Sequence, residues 1–185
     1  MDKELYRIAG LMCEEAYTNR VDLGTTEFLT RLVSYRGFAA QMLVIPGTDE
    51  PLDWVENFKL TDINGIKSPA VKAADDIHAA FKRVKGVPLY VAGHSKGGAT
   101  AIAYKRKYGA DYCIAFEPAR SLRYWTDRRM DNTTIFIDPN DPVPKLGPLS
   151  FGHPICKTIM LPNDKVGFRV SEHMMDHINK FIEEM

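Results

Sequence analysis

An α/β fold with a mostly parallel central sheet, flanked by helices and built as a single domain, is predicted by three features of this chain. Strand-like and helix-like segments alternate along most of its length, the pattern of a parallel sheet with helices on its faces. One strand-like segment is almost continuously apolar from Met42 to Ile45, as a strand buried on both faces requires. The 185 residues suit one medium domain, and no internal repeat, low-complexity tract or Gly/Ser linker divides them.

The elements follow in order. "DKELYRIAGLMCEEAY" puts Leu5, Ile8, Met12 and Ala16 on one face, a helix pattern. "EFLTRLVSYRG" and "FAAQMLVIPG" are β-rich and meet near Gly37, which predicts a hairpin. After Thr48 an irregular polar segment carries Trp54 and Phe58. "SPAVKAADDIHAAFKRVKG" is predicted helical, with Pro69 in its first turn and Gly86 ending it. "VPLYVAG" is a strand, "GGATAIAYKRKYG" a helix closed by Gly109, and "DYCIAFEP" a strand. "NTTIFID" and "ICKTIML" are further strands, and "SEHMMDHINKFIEEM" is a terminal helix.

Composition narrows the partners. Twenty-four basic residues cancel twenty-four acidic ones, so no positive excess invites nucleic acid; the short clusters "YKRKYG" and "DRRM" fit solvated helix faces. The amino terminus lacks a secretory h-region, and no stretch is long and apolar enough to span a membrane, so a cytoplasmic location is expected. Cys13, Cys113 and Cys156 are odd in number and widely spaced, which implies buried thiols rather than a disulfide framework.

"YVAGHSKGGAT" carries the chemistry. Ser95 lies between a β run and an Ala-rich helix, with Gly93 two residues before it and Gly97 two after. A serine hydroxyl that attacks a carbonyl must stand clear of the backbone on a sharp strand-to-helix turn. That turn brings the residues at minus two and plus two together, and glycine removes the Cβ atoms that would collide. The helix beyond aims its free N–H groups at developing negative charge. A phosphate loop does not fit, because G-x-x-x-x-G-K-[ST] cannot be laid over these residues.

"VAGHSKGGATA", preceded by "LVIPGTDEPLDWVENF" and followed by "FIDPNDPVPKLG", resembles the class 3 lipase family of α/β hydrolases. The parallel runs from about Met42 to the end, with Gly47, Thr48, Trp54, Asn57, Gly93 to Gly98 and Asp141 to Pro144 matching in order. The family often has Leu after the nucleophile where this chain has Lys96, which leaves the mechanism intact and bears on substrate type. The resemblance implies an α/β-hydrolase fold and a lipid or other ester substrate, and the chemistry needs no metal or organic cofactor.

A hydrolase triad of this type runs Ser, then Asp or Glu, then His along the chain. Asp138 and Asp141 compete for the acid; Asp141 occupies the D-x-V-P position that the resemblance assigns to it, and Asp138 is the alternate. For the base, His173 stands at the loop-to-helix junction and His177 one turn further on. His173 is preferred, with His177 in reserve, whereas His153 suits a structural role. The H-x-x-D-H spacing of His173 and His177 also admits a zinc hydrolase, although Asp176 is shorter than the Glu such helices use.

The oxyanion would be received by the backbone N–H of Lys96 and, as the resemblance implies, by Thr48. Lys96 would alternatively attract an anionic substrate group or pair with Asp49 or Glu117. Leu52, Trp54, Val55 and Phe58 form a candidate short lid, with only transient contact with a lipid interface. Tyr124, Trp125, Met174 and Met175 suit either an acyl pocket or the core. The expectation is a carboxylic ester hydrolase, lipase or esterase, working through an acyl-enzyme; the alternative from another class is a catalytically silent copy of the fold that binds a partner or apolar ligand.

Overall fold

The computed structural model describes residues 2–24, 26–47, 69–123, 128–145, 151–162 and 175–185. Thr48, Asp49, Leu52, Trp54, Val55, Asn57, Phe58, Tyr124, Trp125, His173 and Met174 lie outside them. The described helices are α1 (Lys3–Glu15), α2 (Pro69–Ala80), α3 (Lys96–Tyr108) and α4 (Met175–Glu184). The main strands are β1 (Val21–Asp22), β2 (Glu27–Tyr35), β3 (Phe38–Ile45), β4 (Leu89–His94), β5 (Tyr112–Phe116), β7 (Arg129–Ile137) and β9 (Ile155–Met160). Two-residue strands β6 (Leu122–Arg123) and β8 (Phe151–Gly152) pair with each other apart from these.

The described strands form a seven-stranded sheet in the order β1-β2-β3-β4-β5-β7-β9. The pairs β1/β2 and β2/β3 are antiparallel, and every later neighbour is parallel. The hairpin turns at Arg36-Gly37, where both residues have positive φ.

Both faces of the sheet are covered, which explains the unbroken apolar run in β3. Met42 and Val44 join Ala92, Ile114, Phe116 and Phe136 beneath Leu5, Met12, Ile178 and Ile182 of α1 and α4. Leu43 and Ile45 point the other way, with Val91, Cys113, Ala115 and Ile135, onto Ala74, Ile77, Ile102 and Tyr104 of α2 and α3. The period-two alternation of a strand is therefore satisfied twice. Met175 is buried in the first of these clusters and serves the core rather than a pocket.

One boundary differs from expectation. The helix predicted to run to Gly86 stops at Ala80. Gln41 of β3 captures the chain beyond it: its Nε2 donates to Lys82 O at 2.9 Å, and its Oε1 accepts the Val84 N–H at 2.8 Å. These bonds replace those that a further helical turn would have made. Gly86, with φ 76°, then serves the turn leading into β4 rather than a helix end.

Phe136 is fully buried, with Tyr6 edge-on and Phe116 tilted against it, both at 5.1 Å between ring centroids. Phe136→Ala is expected to cost about 3–5 kcal/mol in urea unfolding. A loss under about 1 kcal/mol would mean that this junction of sheet and helix is not packed as described.

Candidate functional site

The carboxyl ends of β3, β4, β5 and β7 meet at one edge of the sheet, where sites in open α/β sheets assemble. Ser95 stands there between the last residue of β4 and the first of α3. Its backbone has φ 57° and ψ −124°, a region that residues other than glycine rarely occupy and that costs on the order of 1–3 kcal/mol. Its N–H donates to Phe116 O at 2.9 Å, and its carbonyl accepts the Ala99 N–H at 3.2 Å, so strand and helix pin it from both sides.

The glycines explain how the turn closes. A methyl group added at Gly93 would lie 2.3 Å from Gly97 O, and one added at Gly97 would lie 2.1 Å from Ile45 O and 2.3 Å from Pro46 O. The elbow is thus pressed against itself and against the end of β3. The Ser95 side chain is buried, and its Oγ makes no hydrogen bond to any described residue. Lys96 opens α3, whose first-turn N–H groups have no partner within the helix.

A tyrosine from outside the elbow ties its two halves together. Tyr17, just past α1, accepts the Gly47 N–H at 3.1 Å and bonds His94 Nδ1 at 2.6 Å. Gly47 follows β3 and His94 ends β4, so this bridge sets the spacing of the two strand ends.

The acidic side of the site lies on the turn after β7. Asp138 and Asp141 are both buried. Asp138 Oδ1 accepts the Asn140 N–H at 2.6 Å, and Oδ2 lies 3.3 Å from Nε2 of His177 on α4. Asp141 Oδ1 accepts the Val143 N–H at 2.9 Å. Beneath them Glu117, at the end of β5, has φ 46° and no exposed surface, and its Oε1 accepts the Asp138 N–H at 2.7 Å. Burial first, and then the negative charge of Asp141, push the Glu117 carboxyl well above the usual carboxylate range.

Of the residues expected from sequence, the structure describes Ser95, Lys96, Asp138, Asp141 and His177; Thr48 and His173 lie outside the described residues, and with His173 the zinc alternative as well. His153 donates from Nε2 to Pro144 O at 2.8 Å, a bond that holds the turn following Asp141. Burial drives up the proton affinity of the thiols, Cys113 to about 12 and Cys156 to about 11, so neither is a ready nucleophile. The bridge through Tyr17 and His94 and the placement of Glu117 beneath the two aspartates were not anticipated. The one legible sign was a charged residue, Glu117, closing an otherwise apolar central strand.

Two outcomes follow. Ser95→Gly is expected to raise stability by about 0.5–2 kcal/mol in chemical denaturation, because glycine accepts the backbone that serine resists. Glu117 holds its proton more tightly folded than unfolded. Above the ordinary carboxylate range the unfolded chain therefore binds fewer protons, and stability falls as pH rises until the folded group itself ionises. Glu117→Gln should remove that component, a slope of at most about 1.4 kcal/mol per pH unit, measured as the difference between the two stability–pH curves. Parallel curves would contradict a Glu117 carboxyl whose proton affinity is raised by folding.

With this geometry in view, the chain can be set beside known proteins. Its fold is similar to that of a Rhizomucor miehei lipase in complex with its propeptide, with TM-score 0.56 at 13% identity over 86% of this chain and 67% of that one. A fungal lipase matches with TM-score 0.53 at 19% identity, over 90% and 81% of the two chains. A triacylglycerol lipase from Penicillium expansum matches with TM-score 0.54 at 17% identity, over 85% and 79%. At such identities the likeness establishes the α/β-hydrolase fold and nothing finer. No curated protein matches in sequence. A family model described as Mbeg1-like matches residues 7–110, from α1 through the elbow and α3. That span is more than half of the chain, which therefore belongs to the Mbeg1-like family.

Proposed function

We propose that this protein is a single-domain serine hydrolase that cleaves carboxylic esters, with Ser95 as the nucleophile. The observation that carries the reading is the left-handed backbone of Ser95 at the junction of β4 and α3. A chain has no structural need to strain a serine there, and the strain directs its hydroxyl to the edge where the helix N-terminus and the end of β3 converge.

His173 takes the Ser95 proton as the hydroxyl attacks the ester carbonyl, and the backbone N–H groups of Lys96 and Thr48 hold the oxyanion that forms. The imidazolium returns its proton to the departing alkoxide, leaving an acyl-enzyme that water hydrolyses by the same route. Asp141 orients His173. The D-x-V-P position of Asp141 and the loop-to-helix position of His173 favour this pair. The 3.3 Å contact of Asp138 with His177 favours a second reading in which that pair supplies acid and base. Lipid esters are the favoured substrates, in keeping with the lipases that share the fold; short soluble esters are the alternative.

Hydrolysis of p-nitrophenyl esters from acetate to palmitate tests the reading. Ser95→Ala and His173→Ala should each lower kcat by about 10³-fold or more, and His177→Ala by less than about tenfold. Interchanged effects of the two histidines would select the Asp138–His177 pair. A wild-type protein that turns over no ester would favour the silent binding fold.

A further inference from the structure

Tyr17 is distant from the elbow in sequence, yet its phenol oxygen stands against Gly47 on one side and His94 on the other. We propose that Tyr17 is a positioning residue for the reaction assigned to Ser95: it holds the end of β3 against the nucleophile and so fixes where the hydroxyl stands. The inference rests on that assignment and adds to the site a residue from the segment that follows α1.

The geometry begins at Gly47. A methyl group added there would lie 3.0 Å from Ser95 Cβ, 3.2 Å from His94 O and 2.6 Å from Tyr17 Oη. The glycine backbone therefore lies against the Ser95 side chain, and the phenol oxygen backs the same point. Tyr17 Oη accepts the Gly47 N–H at 3.1 Å, which fixes the plane of the Pro46–Gly47 peptide. The same oxygen shares a 2.6 Å hydrogen bond with Nδ1 of His94, the residue directly before Ser95. One atom thus holds the end of β3 and the base of the elbow in a single register.

Tyr17 is itself anchored. Its N–H donates to Glu14 O at 3.2 Å, and its carbonyl accepts a guanidinium N–H of Arg20. Arg20 is in turn ion-paired at 2.6 Å with Glu27 of β2. The tyrosine ring meets the His94 imidazole edge-on, with 6.0 Å between centroids. The phenol is therefore presented from a fixed backbone. Such a brace matters because Ser95 Oγ makes no hydrogen bond to any described residue, so its place is set by the atoms packed around it. A reacting atom displaced by about 1 Å can lose about 10²-fold in rate. Removing the phenol hydroxyl frees the end of β3 from the elbow, and the loss falls on the chemical step rather than on substrate binding.

The test is Tyr17→Phe, which keeps the ring and removes the bridging oxygen. Beside it stands Tyr112→Phe, which removes a 2.8 Å hydroxyl contact with Thr134 from the start of β5, at the opposite edge of the sheet. Both are compared with the wild type in p-nitrophenyl butyrate hydrolysis and in the rate of phosphonylation by a fluorophosphonate, with circular dichroism confirming each fold. Tyr17→Phe is expected to lower kcat and the phosphonylation rate by about 10- to 100-fold, with KM within about twofold of the wild type. Tyr112→Phe should leave both rates within about twofold. His94→Leu breaks the bridge from its other end, so the double variant should be about as slow as the slower single one. Multiplying losses in the double variant, a Tyr17→Phe protein as fast as the wild type, one that raises KM alone, or an equal loss in Tyr112→Phe each overturns the positioning role and leaves Ser95 as the nucleophile. A wild type inert to both reagents overturns the role together with the reading on which it rests.

Discussion

The structure turns on one close approach. Gly93 and Gly97 meet backbone to backbone across Ser95, and Gly97 in turn meets the last carbonyls of the β3 segment. Nothing larger than hydrogen fits at either position, so the chain reverses from strand to helix within a few residues, with Ser95 at the apex in a conformation that serine disfavours. That local cost is sustained because its surroundings are over-determined. The parallel ladder fixes β4 between β3 and β5, and α3 lies against the sheet through Ile102 and Tyr104. Strain at one residue is held by burial at many.

Polar contacts then extend the constraint outward. Tyr17 ties His94 to Gly47, so the elbow and the neighbouring loop cannot drift apart without breaking a 2.6 Å or a 3.1 Å bond. On the other side Glu117 accepts the Asp138 N–H, and burial together with the negative charge of Asp141 raises its carboxyl above the usual carboxylate range. Three carboxyl groups are buried together there, and each accepts a backbone or imidazole donor. His177 joins the terminal helix to this acidic turn, so the last element of the chain is coupled to the edge of the sheet where Ser95 lies.

Much of the architecture was legible because it follows from local pattern. The apolar run in β3, the glycines around Ser95 and the closing glycine of α3 each imply their structure without reference to distant residues. The differences arise where long-range contacts decide. The end of α2 is set by Gln41, forty residues earlier in the sequence, and no periodicity within the helix announces it. Tyr17 looked like one more residue at a helix end, and Glu117 like a candidate partner for Lys96. Their roles depend on which strand ends become neighbours.

The claim on which the account depends is that the strained residue at the apex is a working nucleophile. Intact-mass measurement after exposure to a fluorophosphonate, followed by peptide mapping, addresses it most directly. The account predicts a single phosphonyl adduct on Ser95 that forms in the native protein and is lost after unfolding before exposure. An unmodified native protein, or an adduct on any other residue, would contradict it.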